Sequence, residues 1–301
     1  MWKPLKNNEI MKSSGKWILY GGYTLMAGVF FLYLLFPEDA LKEYAQKRIA
    51  QVQPALSVAI EKIRPSVPPG LRFQTVSVRH AGESLADIES IRVSPEVRTL
   101  FAENRSYVFR MTAYGGGIRG RFREYPGNNG TLISGNARIQ EIDMGRVSFL
   151  RTVSDFSIEG KLNGNILLQQ DDKGGIDINA HLEIAGATVE LNVPFMPLKA
   201  LSFKRVEADF KMRSRTLILR QMAATGPQLD GRISGSIFLT DDIRQSVLNL
   251  TGKIKPHHLL LAGIGKGVSS FFFSATKDKP GGIAFKINGT LGNPRLSFEP
   301  S

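Results

Sequence analysis

The chain has 301 residues and a formal net charge of +12. With 42% hydrophobic residues it can bury a core, which excludes disordered and collagen-like chains. It has no cysteine and only four histidines, which excludes disulfide scaffolds, thiol nucleophiles, Cys-ligated zinc and iron–sulfur clusters.

Residues 17–36 read WILYGGYTLMAGVFFLYLLF and carry no charge. As a helix they span about 30 Å, the thickness of a bilayer's hydrocarbon core. Trp17, Tyr20, Tyr23 and Tyr33 lie towards the two ends, where amphipathic rings favour the interface. A cleaved signal peptide would have a shorter apolar run followed by small residues. Here the run ends in Phe36-Pro37-Glu38-Asp39, so the expectation is an uncleaved transmembrane helix. Residues 1–16 hold Lys3, Lys6, Lys12 and Lys16 against Glu9, a net of +3. Residues 37–48 balance to zero. The positive-inside rule then puts residues 1–16 in the cytoplasm as a short tail, followed by one crossing. The rest lies outside, which in a bacterium means an inner-membrane protein with a periplasmic C-terminal domain.

Residues 37–70 are expected as a helical stalk or linker leading away from the bilayer, or as a first helix packed on the domain. Leu41, Ala45, Ile49, Val52, Leu56, Ile60 and Ile63 recur at spacings of three and four. Pro54 should kink or break the run, and Pro65, Pro68, Pro69 and Gly70 end it.

Over residues 71–301 the period changes from helical to alternating. Leu71–Val78 (LRFQTVSV) alternates cleanly. Further strands are predicted at Tyr107–Ala113, Leu132–Ile142, Ile158–Leu168, Ile176–Ile184, Val206–Met212, Thr216–Arg220, Leu229–Leu239, Ser246–Ile254 and Ile283–Ile287. Short helical patches are expected at Pro95–Glu103, Met144–Val153, Pro197–Phe203 and Leu259–Phe272.

One internal repeat stands out. Ile158–Gln169 is IEGKLNGNILLQ and Leu229–Thr240 is LDGRISGSIFLT, 71 residues later. Apolar residues and glycines share one parity in each copy, and charged and amide residues share the other. An Asp pair follows each copy (Asp171-Asp172 and Asp241-Asp242), then another alternating run, so each copy reads as a hairpin. The dry face comprises Ile158, Leu162, Ile166 and Leu168 in the first copy and Leu229, Ile233, Ile237 and Leu239 in the second. These eight are candidate groove-lining or core residues. Repeated hairpins with one apolar face must stack, close or fold over, since none can bury that face alone. The fold class is therefore mainly β with one N-terminal transmembrane helix and few short helices. Antiparallel repeated hairpins form either an elongated curved sheet with an open groove or a β-sandwich.

No chemistry-bearing constellation emerges. Gly115–Gly120 (GGGIRG) matches G-x-G-x-x-G, but Arg121-Phe122-Arg123 continues as strand where a dinucleotide site needs a helix, so a hairpin turn is expected. Ser274-Ala275-Thr276-Lys277 fits S-x-x-K without its companion motifs. His257 and His258 are adjacent, a spacing that cannot clamp one metal from either a strand or a helix. The expectation is no catalytic, cofactor or metal site, and no enzyme activity. Lys and Arg are spread without aromatic interleaving, so nucleic acid is not an expected partner.

Several segments together resemble the type II secretion system protein N (GspN) family. They are the N-terminal apolar run with Phe36-Pro37-Glu38-Asp39-Ala40-Leu41, then Pro68-Pro69-Gly70-Leu71, Ile91-Arg92-Val93-Ser94-Pro95 and Tyr114–Gly120. The closing Asn288-Gly289-Thr290-Leu291-Gly292-Asn293-Pro294-Arg295 is similar to the ending of AsmA-like periplasmic proteins. The resemblance implies a non-catalytic inner-membrane accessory in type II protein secretion, with inner-membrane and secretin components as partners. The AsmA-like likeness implies, as the alternative, lipid binding or transfer between the two membranes, with phospholipid as the partner.

Overall fold

A computed structural model describes residues 19–24, 26–28, 30–31, 33–52, 56–66, 69–80, 82–99, 101–128, 130–153, 157–190, 199–263 and 282–298. The described residues between 19 and 34 are helical. Tyr20, Tyr23, Met26, Phe30, Tyr33 and Leu34 stand exposed on that helix. Among the described residues no helix is long and apolar enough to cross a membrane. Residues 17, 18, 25, 29 and 32 of the expected span lie outside the described residues.

A second helix runs over Glu38–Val52. Glu38 and Asp39 occupy its first turn, where negative charge complements the helix dipole. Lys42 pairs with Glu38 at 2.9 Å and Lys47 with Glu43 at 2.6 Å, both at i,i+4 spacing. The expected stalk is helical only here, because Leu56–Ser66 is a strand. Leu56, Ile60 and Ile63 do recur at helical spacing, but Leu56, Val58 and Ile60 also alternate. Pairing with the next strand decides between the two patterns.

Among the described residues fourteen strands follow: β1 (Leu56–Ser66), β2 (Gly70–His80), β3 (Glu83–Pro95), β4 (Arg105–Ala113), β5 (Gly116–Gly127), β6 (Gly130–Asp143) and β7 (Ile158–Gln170). The chain continues through β8 (Ile176–Glu190), β9 (Ala200–Arg213), β10 (Thr216–Thr225), β11 (Leu229–Phe238), β12 (Val247–Pro256), β13 (Ile283–Thr290) and β14 (Asn293–Phe298). All belong to one antiparallel sheet whose strand order equals the chain order. The sheet is open, since β1 and β14 each have one neighbour. It is one sheet, not the two packed sheets of the sandwich alternative.

Local chemistry explains the turns. Tyr114 (φ 52°) and Gly115 (φ 73°) form the two-residue link from β4 to β5, so the glycine-rich match is a hairpin turn. At the β7–β8 turn the Asp171 carboxylate accepts from the Lys173 amide at 3.0 Å and the Gly175 amide at 2.7 Å. The two repeat copies are β7 and β11, and each forms a hairpin with the strand that follows. The expected patches at Pro95–Glu103 and Met144–Val153 contain short helical turns, at Val97–Thr99, Met144–Arg146 and Ser148–Val153. A further short helix covers His258–Gly263. The patch expected at Pro197–Phe203 is instead strand from Ala200 onwards.

Packing is concentrated on one face. Ile63 (1% exposed), Ile139, Ile142, Leu248 and Phe285 are buried there. The Glu38–Val52 helix packs on β1, and the Ser148–Val153 helix packs near β3. Leu219, Leu248 and Leu250 form a cluster with Phe210, Met222, Ile233 and Ile287 around them. Most other apolar positions in the strands are only half-buried.

Candidate functional site

The register places apolar residues in continuous rows across the whole sheet. One row crosses all fourteen strands. From β1 to β7 it runs Ile63, Phe73, Ile91, Met111, Ile118, Ile139, Gly164. From β8 to β14 it runs Leu182, Ala208, Met222, Ile233, Gly252, Phe285, Phe298. Each member is the direct cross-strand partner of the next. The neighbouring row carries Leu71, Val93, Phe109, Gly120, Ala137, Ile166, Ala180, Phe210, Leu219, Gly235, Leu250, Ile287 and Leu296. Neither row contains a charge. Side chains on one face of a pleated sheet recur every second residue, so two adjacent uncharged rows make a continuous apolar band.

Three bulges keep the band on one face. The register shifts between Ile139 and Ile142, between Glu159 and Lys161, and between Leu219 and Met222. Each admits an extra residue and restores the apolar parity beyond it. Glycines fit beneath their larger partners. A Cβ on Gly120 would lie 2.5 Å from the Phe109 ring, and one on Gly164 would lie 2.5 Å from Leu182 Cδ2. Phe122 stacks on Tyr107 with ring centroids 4.8 Å apart.

Seven of the eight predicted residues fall on this face, in β7 and β11. Ile166 faces Ala137 and Ala180, Leu168 faces Gly135 and Ile178, and Leu162 faces Ile142 and Ile184. Ile158 faces Val189. Ile233 faces Met222 and Gly252, Ile237 faces Leu217 and Leu248, and Leu229 faces Pro256. Leu239 lies one residue beyond β11, and its amide donates to the Arg215 carbonyl at 2.7 Å. All eight are half-buried. Sequence reading missed Phe73, Ile91, Met111 and Ile118 on the same face. Alternation in GIRGRFRE (Gly117–Glu124) carried the signal for β5, with Ile118, Gly120 and Phe122 on one parity and three arginines on the other.

A depression of 880 Å³ in the sheet is lined by apolar Ile233, Ile254 and Phe285 together with cationic Arg220, Arg232 and Lys253. Among the described residues no group of three or more His, Asp and Glu could hold a metal ion. His181 Nδ1 lies 2.7 Å from Asp209 Oδ1, and His257 Nε2, just past β12, lies 3.2 Å from Asp230 Oδ2, so both rings are engaged in pairs. Ser274–Lys277 lies outside the described residues.

Polar contacts tie the first helix to the sheet edge. Glu38 Oε1 accepts from the Ile63 amide at 3.2 Å. Its hydrogen bond to Lys42, then this backbone bond, hold the Glu38 carboxyl below its ordinary range. Asp171 is held low chiefly by the Gly175 amide.

The fold and this face define a mainly β protein built on one open antiparallel sheet with a continuous apolar side. Comparison with family models, curated proteins and solved structures gives no match.

Proposed function

We propose that this is a non-catalytic, membrane-anchored lipid-handling protein whose sheet carries acyl chains on its apolar face. The observation that carries the reading is the uncharged row from Ile63 to Phe298, directly in register across fourteen strands. Among the described residues no second sheet covers this face, so its half-buried members, such as Ile118, Ile166 and Ile233, offer apolar area to a ligand. Acyl chains suit it because they are apolar, elongated and indifferent to sequence along the band. Glycine and alanine recur on the apolar side, whereas long polar side chains line the other. That asymmetry favours bending towards the apolar side into a trough. The exposed aromatic and aliphatic side chains between residues 19 and 34 suit a bilayer around the N-terminal helix, with the β domain in the periplasm.

The test is native mass spectrometry of the full chain released gently from membranes. Phospholipid adducts on the wild type that vanish on Ile166→Asp, with far-ultraviolet circular dichroism unchanged, support the reading. A lipid-free wild type contradicts it.

A second reading, an accessory role in type II secretion, rests on the sequence resemblance and on one feature of the fold. β14 is an edge strand with all six residues exposed, which leaves its outer side open to strand addition by a partner. Deletion of the gene should then remove a defined set of proteins from the culture supernatant while a periplasmic marker stays inside the cell. An unchanged supernatant would contradict it.

A further inference from the structure

The polar face carries a feature that the apolar band does not explain. Arg64, Arg72, Arg92, Arg110, Arg119 and Arg138 are consecutive cross-strand partners on β1 to β6. At the strand spacing of a sheet this file is about 24 Å long. Like charges directly opposite each other destabilise a strand pair, and here five such pairs follow one another. Five of the six side chains are exposed and Arg92 is half-buried. Among the described residues none of Arg64, Arg72, Arg92, Arg110 and Arg119 forms an ion pair with a carboxylate. Arg138 reaches only the neutral Asn165, at 3.3 Å.

Elsewhere in the sheet some like charges are bridged. Glu183 and Glu207 face each other on β8 and β9, and Arg205 bridges them at 2.9 and 3.1 Å. Lys211 and Arg213 both reach Asp177, at 3.2 and 3.3 Å. Along the file only Arg64 feels a nearby carboxylate, that of Glu38, and among the described residues the other five arginines form no ion pair.

We propose that the arginine file docks on the phosphate-bearing headgroups of an anionic bilayer surface. The inference rests on the membrane-anchored reading above. Guanidinium forks match phosphate oxygens bidentately and suit such a surface better than ammonium groups do. Position favours the same partner. Glu38, two residues after Phe36, bonds to Ile63, which immediately precedes Arg64. The file therefore starts beside the end of the apolar N-terminal segment. The row flanking it on the same face holds Gln74, Ser90, Thr112, Gly117 and Gln140. That row offers no aromatic or aliphatic anchor, and the row on the file's other side, Ser94, Val108, Arg121 and Asn136, offers only the small Val108, which disfavours an acidic protein as the partner.

The chain has no cysteine, so one introduced thiol labels one site. The full chain bearing Thr112→Cys carries a donor fluorophore beside the file and is reconstituted into phosphatidylcholine vesicles with an acceptor-labelled headgroup lipid. Energy transfer should rise when about a third of the lipid is phosphatidylglycerol and fall again at high salt. Changing Arg72, Arg92, Arg110 and Arg119 together to Gln should weaken the response to anionic lipid by at least about tenfold. The matching Lys set should keep part of it. Removing facing like charges relieves repulsion, so folding of the Gln set is expected, with circular dichroism as the check. Equal transfer on neutral and anionic vesicles overturns the proposal, and a face built for an acidic protein would give that result. An unaltered response in the Gln set also overturns it. Flotation on neutral vesicles reports the apolar helix alone. A chain that floats only on anionic vesicles keeps the arginine file and discards the anchor.

Discussion

Gly252 on β12 faces Phe285 on β13, and a Cβ built on Gly252 would lie 2.5 Å from the ring's Cζ. The ring thus lies over the glycine, as Phe109 lies over Gly120 further along the sheet. A large residue over a small one on the neighbouring strand lets a single layer pack without a second sheet.

Gly252→Ala should therefore destabilise the domain by about 1–3 kcal/mol, the usual cost of overpacking. Gly231→Ala is the matched control, because the nearest atoms to a Cβ there are 3.8 Å away. It should change stability by less than about 0.5 kcal/mol. Urea denaturation of both variants checks the contrast. Equal effects would mean that the Phe285 contact does not limit position 252.

Ile63 is 1% exposed and sits where the Glu38–Val52 helix meets β1. Ile63→Ala should cost about 2–5 kcal/mol, as for other buried aliphatic truncations. Ile233, half-buried in mid-sheet, should cost distinctly less when cut to Ala. Thermal unfolding of the two variants tests whether the helix–sheet junction, rather than the open band, holds the domain together.

Glu38 is ionised at neutral pH and holds the Ile63 amide and Lys42. Its folded-state pKa is depressed, so its stabilising contribution is complete above the ordinary glutamate value of about 4.3. That contribution is lost as pH falls through the depressed value. Glu38→Gln should lower stability at pH 7 and make little difference well below pH 4. An unfolding series over that window checks the sign.

Asp171 follows the same rule at the β7–β8 turn. Asp171→Ala leaves the Lys173 and Gly175 amides without their acceptor and should speed amide exchange in β7 and β8 first. Exchange accelerated equally across all fourteen strands would show that the turn does not act locally.

Much of this architecture was legible in the sequence, though unevenly. The repeat at Ile158 and Leu229 exposed two strands and their wet and dry parities, because nothing interrupts the alternation in either copy. β3 was hidden because ESLADIESIRV changes parity between Ile88 and Ile91. β1 was hidden because its apolar spacing also fits a helix. Strand order and register depend on which strand lies beside which. For that reason neither the band from Ile63 to Phe298 nor the arginine file could be seen in the linear chain, although every one of their residues could.

The most direct test of the central claim compares two faces of one strand. A photoreactive benzoylphenylalanine is placed at Ile166 or Ile237 on the apolar face, and at Asn165 or Ser236 beside them on the polar face. The full chain is irradiated in membranes, and adducts are identified by mass spectrometry. The account predicts phospholipid adducts at Ile166 and Ile237 and few or none at Asn165 and Ser236. Equal labelling of the two faces, or no lipid at Ile166 and Ile237, would contradict it.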